Sequence, residues 1–313
     1  MKADSPGGAA SEIGQGRLMI DLGFRDHDGL IASYLLPGKD GWTLIETGPG
    51  SCREALRRGV GAAGIDPDEV ARIFVTHIHL DHSGGLGQAA EAFPRARLFA
   101  HWEGVPHLVD PAKLIASARR AWGAAADPLW GPIPPVPAAR LTPLRGGEQF
   151  ELADGSLRVL GTPGHARHHL SFLDEPTLSL MVGDSAGVKL PGASHARPAV
   201  PPPDLDVELL LESLAMMAAR EPRRLLYAHF GPSPAAVEEL HRYGRRVLEW
   251  KEVALGIARE TPDVGAVGAA LRDHEHTLDP LGSPDDPAEL VSGYEMAAMG
   301  FLRYFRTRGL IPE

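Results

Sequence analysis

The stretch Thr76-His77-Ile78-His79-Leu80-Asp81-His82-Ser83-Gly84-Gly85 decides how the rest of the chain is read. It follows Arg72-Ile73-Phe74-Val75, which has the composition of a buried strand, and precedes a helical pattern over 86–93. Histidines two apart on extended backbone point to the same side, so His77 and His79 can converge on one ion. Asp81 and His82, on the turn just beyond, can face a second site about one ion-spacing away. Imidazole and carboxylate together suit zinc, iron or manganese, and no thiolate stands nearby. The single cysteine, Cys52, lies in an expected helix and reads as a buried structural thiol rather than a nucleophile.

Two ions need more ligands than four residues supply. Three later residues share one syntax: each comes directly after a buried strand and at a Gly/Pro turn, where α/β architectures place ligands. His165 lies in Gly161-Thr162-Pro163-Gly164-His165 after the strand Leu157 to Leu160. Asp184 follows Leu178 to Val182 in Val182-Gly183-Asp184-Ser185. His229 follows Arg224 to Tyr227 in Ala228-His229-Phe230-Gly231-Pro232.

Together with Leu44-Ile45-Glu46-Thr47-Gly48, these segments resemble the five signature motifs of the metallo-β-lactamase superfamily, on its glyoxalase II, lactonase and thioesterase side. The resemblance covers roughly residues 17 to 230 and implies an α/β fold, a four-layer αββα sandwich with metals between the edges of two sheets. It implies that His77, His79 and His165 hold one ion, that Asp81, His82 and His229 hold a second, and that Asp184 bridges them. Two divalent ions are implied, zinc first, with iron or manganese as alternatives. The family has Asp where this chain has Glu46, a departure in a residue that would orient ligands from behind. His169 reads as a packing or hydrogen-bonding residue beneath the ligand loop.

The implied chemistry is hydrolysis by a bridging hydroxide on an ester-like bond, thioester or lactone, with Asp81 as the catalytic residue that accepts or relays a proton. A mononuclear iron persulfide dioxygenase and a non-catalytic metal-binding sensor or interaction module are the alternatives. No substrate-contacting residue is assigned.

Around this centre the expected organisation is a mobile tail over 1–16, a catalytic domain over 17–232 and a helical C-terminal extension over 233–313 covering the active site. The Pro-rich stretch 127–143 reads as a surface excursion, and 186–204 as a second one. Trp122 and Trp130 are candidate lid aromatics. His274-Glu275-His276 reads as a solvated helix end, and Arg242, Arg245 and Arg246 as a solvated charged face. The formal net charge of -10 argues against nucleic acid or an anionic membrane as partner, leaving a small-molecule substrate, with a homodimer left open. No apolar run has the length of a membrane span, and residues 1–16 lack the order of a signal peptide, so a cytoplasmic location is expected.

Overall fold

The computed structural model describes residues 7–278 and 287–312. Among the described residues thirteen strands form two sheets. The first runs in spatial order β1 (Ala9–Gly14), β2 (Arg17–Asp21), β3 (Ala32–Gly38), β4 (Gly41–Ile45), β5 (Val70–Phe74), β6 (Arg97–His101) and β7 (Leu141–Leu144). It is antiparallel from β1 to β4 and parallel from β4 to β7. The second comprises β8 (Gln149–Glu151), β9 (Ser156–Gly161), β10 (Leu170–Asp174), β11 (Ser179–Gly183), β12 (Arg224–Tyr227) and β13 (Gly231–Pro234), in the spatial order β13-β12-β11-β10-β9-β8.

Parallel neighbours need crossover connections, and helices supply them. α1 (Arg53–Ala62) connects β4 to β5; α2 (Leu80–Ser83) and α3 (Leu86–Ala92) connect β5 to β6. Next come α4 (Val105–Val109), α5 (Ala112–Trp122) and α6 (Ala126–Trp130), then α7 (Val207–Ala218) between β11 and β12. The chain ends in α8 (Ala236–Glu260), α9 (Val264–Leu278) and α10 (Tyr294–Thr307). Among the described residues no helix is long and apolar enough to cross a membrane.

Three hydrophobic clusters fill the three interfaces of a four-layer αββα sandwich. Alternation along the strands sorts side chains between them. Between the sheets lie Tyr34, Phe74 and Phe99 against Leu157, Phe172 and Met181. Ile73 and Val75, of opposite parity to Phe74, face the layer of α1 and α3 with Leu56 and Leu86. Leu180, Leu225 and Tyr227 face α7 and the C-terminal helices, with Trp250 and Phe301. Central strands such as β10 and β11 are buried on both faces, which explains their near-continuous apolar runs. The sheets are tied together where the ligand loops emerge, by Leu170 N–H to Thr76 O (2.8 Å) and Ala32 N–H to Ala228 O (2.8 Å).

Several expectations need correction. The tail expected over 1–16 is not a tail at 9–14, which pairs with β2 as an edge strand; residues 1–6 lie outside the described residues. The backbone hydrogen bonds of that pairing outweigh the weak apolar content of Ala9 to Gly14. The 127–143 stretch is not a free surface excursion. Trp130 and Val136 are buried, Trp130 stacks on Phe24 at 6.1 Å, and Leu141–Leu144 forms β7 at one sheet edge, where Pro143 is tolerated.

Glu275 is no solvated helix end. It is buried, accepts from Trp250 Nε1 at 3.0 Å, and pairs with His195 (2.6 Å) and Arg246 (2.5 Å). Arg246 is accordingly buried rather than part of a solvated face. One cluster contains α7 as well as α8, α9 and α10, so the position expected as a domain boundary, 232/233, is crossed by both β13 and a shared core.

Candidate metal centre

The seven donor residues expected from the sequence come together in space. One group contains His77, His79, His165 and Asp184, the other Asp81, His82 and His229. Each sits where a strand stops. The extended segment after β5 carries His77 and His79, and His79 caps α2, which presents Asp81 and His82 from a single short turn. His165 follows β9, Asp184 follows β11 and His229 follows β12. Tight spacing results: His79 Nδ1 is 2.9 Å from both His77 Nε2 and His165 Nε2. His82 Nε2 is 3.2 Å from His229 Nε2, and Asp81 Oδ2 is 3.5 Å from the latter. Asp184 reaches both groups, with Oδ1 3.3 Å from His82 Nε2 and Oδ2 3.5 Å from His165 Nε2. Five of the seven are buried; His79 and Asp81 are half-buried and mark the accessible side.

Hydrogen bonds behind the rings fix their tautomers. His165 Nδ1 lies 2.8 Å from Ala199 O, and His229 Nδ1 lies 2.8 Å from Leu30 O. A carbonyl can only accept, so each Nδ1 carries the proton. Thr76 Oγ1 donates to Glu46 Oε1 at 2.5 Å and therefore accepts from His77 Nδ1 at 2.9 Å. The Nε2 atoms of His77, His165 and His229 are thus left as lone pairs pointing into one space. Asp184 Oδ1 has no hydrogen-bond partner there. Converging lone pairs and an unpartnered carboxylate oxygen repel one another unless a cation lies between them, so this donor set fits metal ions.

Electrostatics separates the donors: His77 and His79 are held neutral, whereas, against burial, nearby carboxylates favour the charged forms of His82 and His229. Burial, then the neighbouring imidazoles His82 and His79, holds His77 well below the usual histidine range, and burial with His165 lowers His79 to about 3. These rings stay neutral and able to ligate. Burial pushes the Asp184 carboxyl up, but His82, His229 and His165 outweigh it and hold it well below the usual carboxylate range. Burial opposes a charge on His82, yet Asp184, Asp81 and Glu46 raise it well above the ordinary value.

Glu46 and His169 stand behind the donors. Glu46, buried with φ 68°, is 3.3 Å from His82 Nδ1 and also holds Thr76, so one carboxylate touches partners of both groups. His169 donates from Nδ1 to Thr162 Oγ1 at 2.8 Å and accepts the Asp184 N–H at 3.1 Å, fixing the backbone of Asp184. Cys52 is buried, and burial pushes its thiol up to about 12, so it is not poised as a nucleophile.

Trp122 and Trp130 meet edge to face at 5.0 Å, and Trp130 lines a cavity of about 310 Å³ with Ile115, Arg119 and Pro132, away from the donor cluster. Sequence reasoning missed Gly183, whose φ is 50° and whose Cβ would meet Thr76 Oγ1 at 2.6 Å and His169 Nε2 at 2.7 Å. The Gly before Asp184 was the available signal. The acceptors Leu30 O and Ala199 O are backbone atoms and leave no sequence signature.

Fold and donors define an αββα protein with a histidine–aspartate cluster that could bind metal ions. The chain belongs to the metallo-β-lactamase superfamily, whose family model matches residues 28–229. It is similar to a metallo-β-lactamase fold-containing protein of Sulfurisphaera tokodaii, at 28% identity over 65% of this chain and 74% of that protein. It also resembles a hydroxyacylglutathione hydrolase of Synechococcus at 29% identity, covering 49% of this chain and 47% of that enzyme, so the chain spans about half of its length. An acyl-coenzyme A thioesterase of Bos taurus is 27% identical over 56% of this chain and 65% of that protein. Among solved structures, a superfamily protein from Sulfolobus tokodaii matches with a TM-score of 0.62 and 25% identity, over 75% of this chain and 87% of that one. A β-lactamase domain protein from Burkholderia ambifaria matches with a TM-score of 0.69 over 99% and 92% at 21% identity, a likeness of fold.

Proposed function

We propose that this protein is a dinuclear metal-dependent hydrolase of an ester-like bond in a small molecule, with a thioester as the first candidate substrate and a lactone as the second. The observation that carries the reading is the set of tautomers fixed from behind, which leaves the Nε2 atoms of His165 and His229 each 3.5 Å from Asp184 and that of His77 in the same donor group. His77, His79 and His165 would hold one ion and Asp81, His82 and His229 the other, with Asp184 between them. Two divalent ions, zinc first, supply a water acidic enough to be deprotonated at neutral pH and a Lewis acid for the electrophilic oxygen.

The chain's own residues do the rest. Asp81 is half-buried on the accessible side, and although burial raises its carboxyl, His82 and His229 outweigh this and keep it ionised, able to accept a proton at Oδ2. Glu46 and His169 hold Thr76, His77 and Asp184 in place. The thioester preference is supported by two relatives whose names specify thioester hydrolysis. The acidic balance of the chain favours a small molecule over nucleic acid.

The test is turnover by zinc-loaded protein on acyl-coenzyme A, acylglutathione, lactone and phosphodiester substrates. Thiol release from a thioester above the zinc-only blank is expected. A panel without turnover on either thioesters or lactones contradicts the reading.

A further inference from the structure

The acceptor that fixes the tautomer of His165 is unusual in its placement. Ala199 lies in 186–204, which has no regular strand or helix and contains only one isolated bridge, between Val188 and Arg197. An irregular segment does not hold a carbonyl in position by its own ladder. What holds this one is the C-terminal helical region.

Tyr243 of α8 is buried, and its Oη accepts the Ala199 N–H at 3.2 Å. Its ring packs so closely on Gly187, at the start of the segment, that a Cβ there would collide with it. Ser292, just before α10, donates from Oγ to Pro198 O at 2.9 Å. Gly300 of α10 lies against the Val200 carbonyl so tightly that any side chain is excluded. The residues on both sides of Ala199, and its own N–H, are therefore fixed by α8 and α10, while its C=O receives the His165 Nδ1 proton.

We infer that Tyr243 is a positioning residue for the metal centre: through the Ala199 peptide, it and the α10 contacts hold His165 in the tautomer and orientation that present Nε2 to the donor cluster. The C-terminal helices thus serve the site from behind, on the side of its protein ligands. This inference rests on the proposed metal-dependent function. It also makes a claim about the ring of His165 that can be read without any metal.

The test compares wild type with Tyr243→Phe, which removes one oxygen and keeps the ring that packs on Gly187. Two readouts are taken: zinc affinity by competition with a chromophoric chelator, and ¹⁵N spectra of the histidine rings in zinc-free protein. Loss of partners behind a ligand typically weakens metal binding about 10-fold or more. We expect a loss of about 10-fold in one of two zinc-binding steps. We also expect a mixed tautomer at His165 with His229, held by Leu30, unchanged.

Ser292→Ala, removing a separate tether of the same segment, should shift both readouts in the same direction. Tyr304→Phe, which removes a hydroxyl of α10 that is bonded to Glu208 of α7, should leave both unaltered. Zinc affinity within about twofold of wild type and an unchanged His165 signal in folded Tyr243→Phe would overturn the inference, as would an equal loss in Tyr304→Phe. Wild type that takes up no zinc contradicts the proposed function instead, and the ring spectra still decide the claim about Tyr243.

Discussion

Replacing Asp184 by Asn removes the charge shared between the two donor groups and leaves the backbone that carries it. The loop survives because the Asp184 N–H is held by His169 Nε2 at 3.1 Å, a contact that does not involve the side chain. What is lost is the negative charge and one of the two oxygens, either the one 3.3 Å from His82 and 3.5 Å from His229 or the one 3.5 Å from His165, since the amide keeps a single carbonyl oxygen. Residues merely behind a ligand cost 10- to 100-fold in metal affinity, so an anionic ligand serving both groups should cost about 100-fold or more.

The consequence for stability can be worked out by linkage. At free zinc of about 100 times the wild-type Kd, one site stabilises the folded state by ~2.7 kcal/mol; with Kd weakened 100-fold the same zinc gives ~0.4 kcal/mol. The difference of ~2.3 kcal/mol lowers the zinc-induced rise in Tm by roughly 3–4 °C for a chain of this size. Calorimetry with and without zinc, alongside equilibrium dialysis, reads both effects. An Asp184→Asn protein with the wild-type zinc content and an equal zinc-induced rise would refute the bridging position.

Other perturbations test neighbouring parts of the account. Arg17 of β2 is buried, and all five of its N–H groups are used: on Asp174 of the second sheet (2.9 and 3.0 Å), on Asp154 (2.7 and 2.8 Å) and on Gln15 O (2.8 Å). Arg17→Met strands the buried Asp174 and should cost ~3–5 kcal/mol in urea unfolding, with part recovered by adding Asp174→Leu; a cost below about 1 kcal/mol would show the pair to be dispensable. Glu46→Gln should weaken zinc binding about 10-fold or more while Glu46→Asp, which keeps the charge, weakens it less, and wild-type affinity in the Gln variant would remove Glu46 from the site.

Burial raises the Glu275 carboxyl, but its bond to His195 and the charge of Arg246 bring it below the ordinary 4.5. Its contribution to stability is therefore present above that value and lost as pH falls through the lower folded value. As pH falls below about 4.5, wild type should lose stability more steeply than Glu275→Gln, and parallel profiles would contradict the assignment.

The donor set was legible because its residues are chemically distinctive and because strand ends are marked by apolar runs followed by Gly or Pro. His165, Asp184 and His229 were singled out by that syntax together with the motif over 77–82. Glu275 was not, because helical position says where a residue sits on its own helix but nothing about the Arg246, Trp250 and His195 that neutralise it across 25 to 80 residues of chain. Strand β1 escaped for a related reason: it is exposed along most of its length, so it carries no apolar alternation, and its stability comes from backbone pairing with β2. The helical C-terminal region was visible as helix. Its service to the site was not, because the link passes through the peptide of Ala199, and a backbone carbonyl is the same atom in every residue.

Elemental analysis of the purified wild-type chain, with oxygen uptake followed in the same preparation, tests the central claim most directly. The account predicts two divalent ions per chain, zinc first, hydrolysis lost on chelation and restored by zinc, and no oxygen consumption. One iron per chain with oxygen consumed on a persulfide substrate would contradict it.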